Sequence, residues 1–133
     1  MFTEKELLDA HAKVKSGADY PRYVQELKDL GVVTYDFLVE NGHNIFFGKD
    51  GHSVETTPKY GNLKIACTSS KEQLKHTIVI HQQGQTDFLT FCIQAAEAGV
   101  EKWVSDLQRM EVIYLDRNGT EMLLEPIPAG EYK

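Results

Sequence analysis

Apolar residues along the first thirty positions recur at helical spacing, and the pattern then switches to strict alternation. Leu7, His11 and Val14 lie at i, i+4 and i+7 with Leu8 beside them, and Tyr23, Leu27 and Leu30 repeat the stripe, flanked by Tyr20 and Val24. Thr3 with Glu6 is a capping box, so a first helix is expected to open there and run to about Lys15, where Ser16-Gly17 stops it. Asp19 caps a second helix with Pro21 in its first turn, and Gly31 ends it. From Val33 the period becomes two: Val33, Tyr35, Phe37 and Val39 share one face of a strand. Asn41-Gly42 is a hairpin signal with positive φ expected at both residues, followed by a strand over 43–47, a turn over 48–51 and a weaker, edge-like strand over 52–56. Residues 57–62 read as loop, and 63–67 as a short apolar strand candidate.

The second half repeats the order of helices, then strands. Ser69 with Glu72, or Ser70 with Gln73, caps a helix that starts near Ser70 and ends at Gln83-Gly84. The β-branched run Thr77-Ile78-Val79-Ile80 argues against helix, but the cap and the shared face of Leu74, Ile78 and His81 argue for it. Thr86 is the expected cap of the next helix, with Asp87 in its first turn and Phe88, Phe91, Cys92, Ala95 and Ala96 facing inward. Gly99 stops that helix. Strands over 102–107 and 110–116 follow, and Asn118-Gly119 closes a two-residue hairpin with positive φ at both positions. That register sets Leu115 opposite Met122 and Ile113 opposite Leu124 on one face, with Tyr114 opposite Leu123 and Val112 opposite Glu125 on the other. Both faces are apolar enough to require a central position or cover on both sides. No repeat, linker or low-complexity segment interrupts the pattern. The expected fold is a single α+β domain over 1–133, an antiparallel sheet with about four helices packed mainly on one face.

Composition narrows the function classes. The 133 residues carry 20 acidic and 14 basic side chains, a formal charge of −6, with no basic run or stripe, which argues against nucleic-acid binding. No apolar run approaches the roughly 18 residues of a membrane span, and the amino end lacks a signal-peptide pattern. Two cysteines do not make a secreted disulfide framework, so reduced thiols and a cytoplasmic location are expected.

Metal and nucleophile chemistry find little support in the spacings. His11, His43, His52, His76 and His81 form no H-x₃-H pair, and neither cysteine belongs to a C-x₂-C pair. His76 and His81 point about 140° apart around a helix. A turn at 48–51 sets His52 opposite about Phe47 and not His43. Cys92 sits on the apolar stripe with Phe88 and Ala96, beyond the reach of the helix-end field, as a buried inert thiol would. No catalytic residue, metal or cofactor is assigned. The densest polar cluster is the elbow between the third and fourth helices. Its candidate ligand-binding residues are His81, Gln85 and Asp87, with Trp103 nearby. Capping accounts for Thr86 and Asp87, His81 and Gln85 can bond across the helix end, and Asp87 or Gln85 can take the Trp103 indole N–H.

His81-Gln82-Gln83-Gly84-Gln85-Thr86-Asp87-Phe88-Leu89-Thr90-Phe91-Cys92, Ala98-Gly99-Val100-Glu101-Lys102-Trp103, Tyr114 with Asn118-Gly119, and Glu125-Pro126-Ile127-Pro128 together resemble the YdfO/YbcV-like family. So does the opening His11-Ala12-Lys13-Val14-Lys15-Ser16-Gly17-Ala18-Asp19 with Tyr20-Pro21-Arg22-Tyr23. These are small prophage-associated bacterial proteins of unknown function, some labelled phage envelope protein. The resemblance implies an α+β fold and a bacterial or prophage origin, and it supplies no catalytic residues. The preferred reading is a non-enzymatic binding or interaction protein, self-associating or serving a mobile element with a protein partner. The alternative is a small-ligand-binding protein or hydrolytic enzyme with its pocket at the elbow. A flat apolar patch over Val112, Tyr114 and Leu123 favours the first, and a deep pocket lined by His81, Asp87 and Trp103 favours the second.

Overall fold

The computed structural model describes residues 2–14 and 19–127. Four helices, α1 (Glu4–His11), α2 (Tyr20–Leu30), α3 (Lys71–Gln82) and α4 (Phe88–Glu97), accompany six strands: β1 (Thr34–Leu38), β2 (His43–Phe47), β3 (Ser53–Glu55), β4 (Val100–Asp106), β5 (Glu111–Asp116) and β6 (Glu121–Pro126). The strands form one antiparallel sheet in the order β3-β2-β1-β4-β5-β6, so the fold is α+β. No helix among the described residues is long and apolar enough to cross a membrane.

Local signals placed most helix ends. Thr3 and Glu6 complete the capping box of α1. The helix stops at His11 instead of near Lys15, because the amides of Lys13 and Val14 turn back three residues, to Ala10 and His11. The expected stop at Ser16-Gly17 lies outside the described residues. Asp19 holds the N-cap position of α2 without a side-chain cap bond, and Gly31 closes that helix at φ +102°. Of the two boxes before α3, Ser70 is used, accepting from the Gln73 amide at 3.2 Å. The β-branched run is helical because it splits between faces: Thr77 and Ile78 are buried, while Val79 is exposed. The cap of α4 is Asp87 and not Thr86. The Asp87 carboxylate accepts from the Thr90 amide at 2.7 Å, while both oxygens of Thr86 turn towards His81.

Three strand-level expectations are corrected. Leu38 pairs with His43, so Asn41-Gly42 belongs to a four-residue connection in which Gly42 has positive φ and Asn41 does not. The second hairpin keeps the expected pairs Ile113–Leu124, Tyr114–Leu123 and Val112–Glu125, but Leu115 pairs with Glu121 and leaves Met122 as an inserted bulge residue. Its turn has positive φ at Gly119 alone, because the Asp116 carboxylate collects the amides of Asn118 and Thr120 and fixes a longer loop. Residues 63–67 form no strand: their neighbourhood bonds Leu63 to Glu40, Ala66 to Ala96 and Ser70 to Ala98, three separate places and no ladder. The edge character of β3 is as expected, with Ser53 opposite Phe47 and the His52 carbonyl accepting from Gly48.

Alternation assigns the two faces of the sheet. Two cross-strand rows point to the helices: Asn44, Phe37, Trp103, Tyr114, Leu123 in one, and Phe46, Tyr35, Ser105, Val112, Glu125 in the other. All are buried except the half-buried Leu123 and Glu125. The opposite rows, with Ile45, Asp36, Val104, Ile113 and Leu124, are half-buried or exposed. The second hairpin is thus neither central nor doubly covered. Its strand β6 is a sheet edge, and Leu124 stands 42% exposed. Cys92, fully buried on the inner side of α4, has its thiol pushed up to about 12 by burial, far from thiolate chemistry at neutral pH.

Candidate functional site

Between the helices and the two inward rows lies a cavity of about 310 Å³. Phe37, Trp103 and Tyr114 form its floor in one row, with Tyr35 and Val112 in the next. Helices roof it: His11 at the end of α1, Tyr20 and Tyr23 on α2, Ile78, His81 and Gln82 on α3, and Phe88 and Phe91 on α4. Aromatic packing holds the walls. Trp103 stacks on Phe37 and meets Phe91 and Tyr114 at centroid distances of 5.6 and 5.9 Å. His81 stacks on Phe91 at 4.5 Å, and His11 meets Phe88 edge-on at 5.7 Å.

A few polar groups are set into this apolar lining. Tyr20 shares hydrogen bonds with the Tyr35 hydroxyl at 2.8 Å and the Ser105 hydroxyl at 2.7 Å, a closed hydroxyl cluster between α2 and the floor. Burial raises the pKa of Tyr20, Tyr35 and Tyr114, so all three stay protonated. Glu125 takes a hydrogen bond from Gln82 Nε2 at 3.1 Å and another from the Tyr114 hydroxyl at 3.5 Å, and burial raises its pKa. Asn44 is 3% exposed, and its Oδ1 has no hydrogen-bond partner among the described residues. A buried acceptor without a donor costs free energy, and it is where a ligand donor would gain most.

His81 is the best-oriented of these groups. Its Nδ1 lies 3.0 Å from the Thr86 carbonyl oxygen and 3.1 Å from Oγ1. A carbonyl only accepts, so Nδ1 carries the proton and Nε2 keeps its lone pair. Burial lowers the pKa of His81, as it does that of His11.

Of the four expected site residues, the structure brings His81 and Trp103 together in the cavity wall and leaves Gln85 and Asp87 outside. Both are exposed. Gln85 donates to Gln83, not across the helix end to His81, and Asp87 is occupied as the cap, so neither serves the indole of Trp103. Val112 and Tyr114 line the cavity instead of forming a flat outer patch. The residues missed were Asn44, Tyr20, Tyr35, His11 and Glu125. For Glu125 a signal existed, since the hairpin register already put it opposite Val112. The others come together only through pairings distant in sequence. Among the described residues, no three His, Cys, Asp or Glu side chains converge as a cation site.

The uncharacterized protein YcgX of Escherichia coli (strain K12) is 21% identical over 115 residues, 86% of each chain. A family model described as a protein of unknown function, DUF1398, matches residues 8–126. That span runs from within α1 to the last residue of β6, and the chain belongs to the DUF1398 family.

Proposed function

We propose that the protein binds a small, mostly apolar, ring-containing molecule in the cavity between its helices and its sheet. The observation that carries this reading is the cavity itself. It is built from aromatic walls and a handful of polar groups, and its lining comes from all four helices and from β1, β2, β4, β5 and β6. Its volume falls at the low end of the about 300–1,000 Å³ of small-molecule sites. Val112 and Tyr114, whose exposure would have favoured an interaction surface, supply part of its floor. The resemblance of the 81–92 and 98–103 segments to prophage-associated proteins extends the proposal to an accessory role for a mobile element.

The single tryptophan lines the cavity, so its emission reports occupancy directly. Ring-containing fragments titrated into the native protein should shift Trp103 emission and raise the melting temperature together. Val112→Phe, or Ile78→Phe on the roof, fills the space and should abolish both responses. A library that leaves Trp103 unmoved, or shifts that survive in both filled variants, refutes the proposal.

Self-association is a second reading, favoured by Phe47 and Leu124, 37% and 42% exposed on the open face of the sheet. Concentration-dependent sedimentation, lost on Leu124→Lys, tests it.

A further inference from the structure

We infer that the ligand is an organic cation: an amine, protonated at neutral pH, carried on an apolar body. This inference rests on the cavity being a ligand site and names what that site prefers.

The charge inventory of the lining is one-sided. Glu125 is the one acid among the described lining residues, and none of them is a lysine or arginine. Its two hydrogen-bond donors, Gln82 and Tyr114, are neutral, so its charge has no counterion in the cavity. The two imidazoles do not supply one. Burial holds His11 and His81 towards the neutral form. A carboxylate withdrawn from water without a cation is costly, and a ligand ammonium would offset that cost.

The ring geometry points the same way. The Tyr114 hydroxyl donates to Glu125, and the Tyr114 ring lies 5.9 Å from Trp103, so the carboxylate and two aromatic rings line the same cavity. Aromatic faces attract ammonium groups and repel carboxylates. The acceptors left open, Asn44 Oδ1 and His81 Nε2, also ask for a donor-rich ligand. The neutral donors present, the Trp103 indole N–H and the Tyr23 hydroxyl, can meet a neutral acceptor but offset no charge. An anion would face Glu125 and the ring faces at once. A neutral ligand would leave the half-buried Glu125 carboxylate without a counterion.

Phenylbutylamine, phenylbutanol and phenylbutyrate share ring and chain, and differ in end-group charge at about pH 7.5. Their affinities for the full chain can be read from Trp103 emission and from melting temperature. The amine should bind about tenfold or more tighter than the alcohol, a difference readily resolved, and the acid should be weakest. Glu125→Gln should bring the amine down to the alcohol's affinity while the alcohol still binds, which also shows that the site is folded. Should that variant fail to fold, Glu125→Met makes the same comparison. Equal binding of amine and alcohol, tightest binding of the acid, or an amine preference that survives loss of the carboxylate overturns the cation inference and leaves the cavity reading standing. If none of the three binds while other ring fragments still move Trp103, the inference alone falls. If nothing binds in either series, both fall.

Discussion

Phe37 and Trp103 face each other across β1 and β4 with ring centroids 4.2 Å apart and planes 12° from parallel. This pair is the middle of the cavity floor, and both residues are buried. Removing half of the stack should cost stability and loosen the indole. Phe37→Leu is expected to destabilise by about 1–2 kcal/mol, combining lost aromatic contact with a partly refilled void. Trp103 emission should move to longer wavelength as water gains access. Denaturant unfolding followed at Trp103 checks both, and an unchanged midpoint with unchanged emission would contradict the stack's role.

The cap of α4 predicts a contrast between neighbours. Asp87 accepts from Thr90, whereas Thr86 serves His81. Asp87→Ala should therefore lower the melting temperature, and Thr86→Ala should change it less. The Asp87 pKa is lowered, first by its hydrogen bonds from Thr90. A depressed carboxylate adds stability above its unfolded pKa of about 3.9 and loses it as pH falls through the lower folded value. The wild type should shed that increment in the acid range, and Asp87→Ala should not. Equal losses in the Ala variants at neutral pH would return the cap to Thr86.

Much of this architecture is legible in the sequence wherever a signal is local. The Thr3–Glu6 box, the Ser70 cap and Gly31 rest on residues within a few positions of each other, and the Tyr114–Leu123 register rests on a single hairpin. Errors arise where two local solutions compete and a distant contact chooses. Thr86 and Asp87 are both good caps, and His81 decides between them by engaging Thr86. Asn118-Gly119 suits a two-residue turn, and the Asp116 carboxylate selects a longer one with a bulge. The cavity is the least legible feature. Its floor exists because β1 lies between β2 and β4, which brings Asn44, Phe37, Trp103 and Tyr114 into one row from four strands. Trp103 and His81 were reachable by residue type, but nothing local marks Asn44 or Tyr20.

Two glycines with similar backbone should respond differently to alanine. Gly119 has φ +77° and open space where a Cβ would stand, so only the left-handed backbone opposes Gly119→Ala, at about 1 kcal/mol. Gly99 has φ +94°, and a Cβ there would stand 2.7 Å from Ser69 Cα and 2.9 Å from the Thr68 carbonyl oxygen, both backbone. Gly99→Ala adds overpacking to strain and should cost about 2 kcal/mol or more. Asn118→Ala, at a position without positive φ, should be tolerated within about 0.5 kcal/mol. Unfolding midpoints for the three variants test the order. Equal costs at Gly99 and Gly119 would contradict the close approach of 68–69 to the end of α4.

The buried imidazoles should make stability fall towards mild acid. His11 and His81 both have lowered pKa values, with burial as the largest cause in each. In the unfolded chain they take up protons as pH drops through about 6.5, while the folded chain resists. The unfolded state then binds more protons, so stability decreases as pH falls from about 7 towards the folded values. Asp36 and Glu125 act in the opposite sense, since burial raises their pKa and the folded chain holds their protons longer. A single wild-type curve mixes these contributions. The difference between the wild type and a His11→Gln, His81→Gln double variant isolates the imidazoles, because both carboxylates and the other three histidines are common to the two chains. The wild type should lose melting temperature more steeply than the variant between about pH 7 and 5. Parallel curves would mean that neither ring is held neutral, and would remove His81 Nε2 as an open acceptor in the cavity wall.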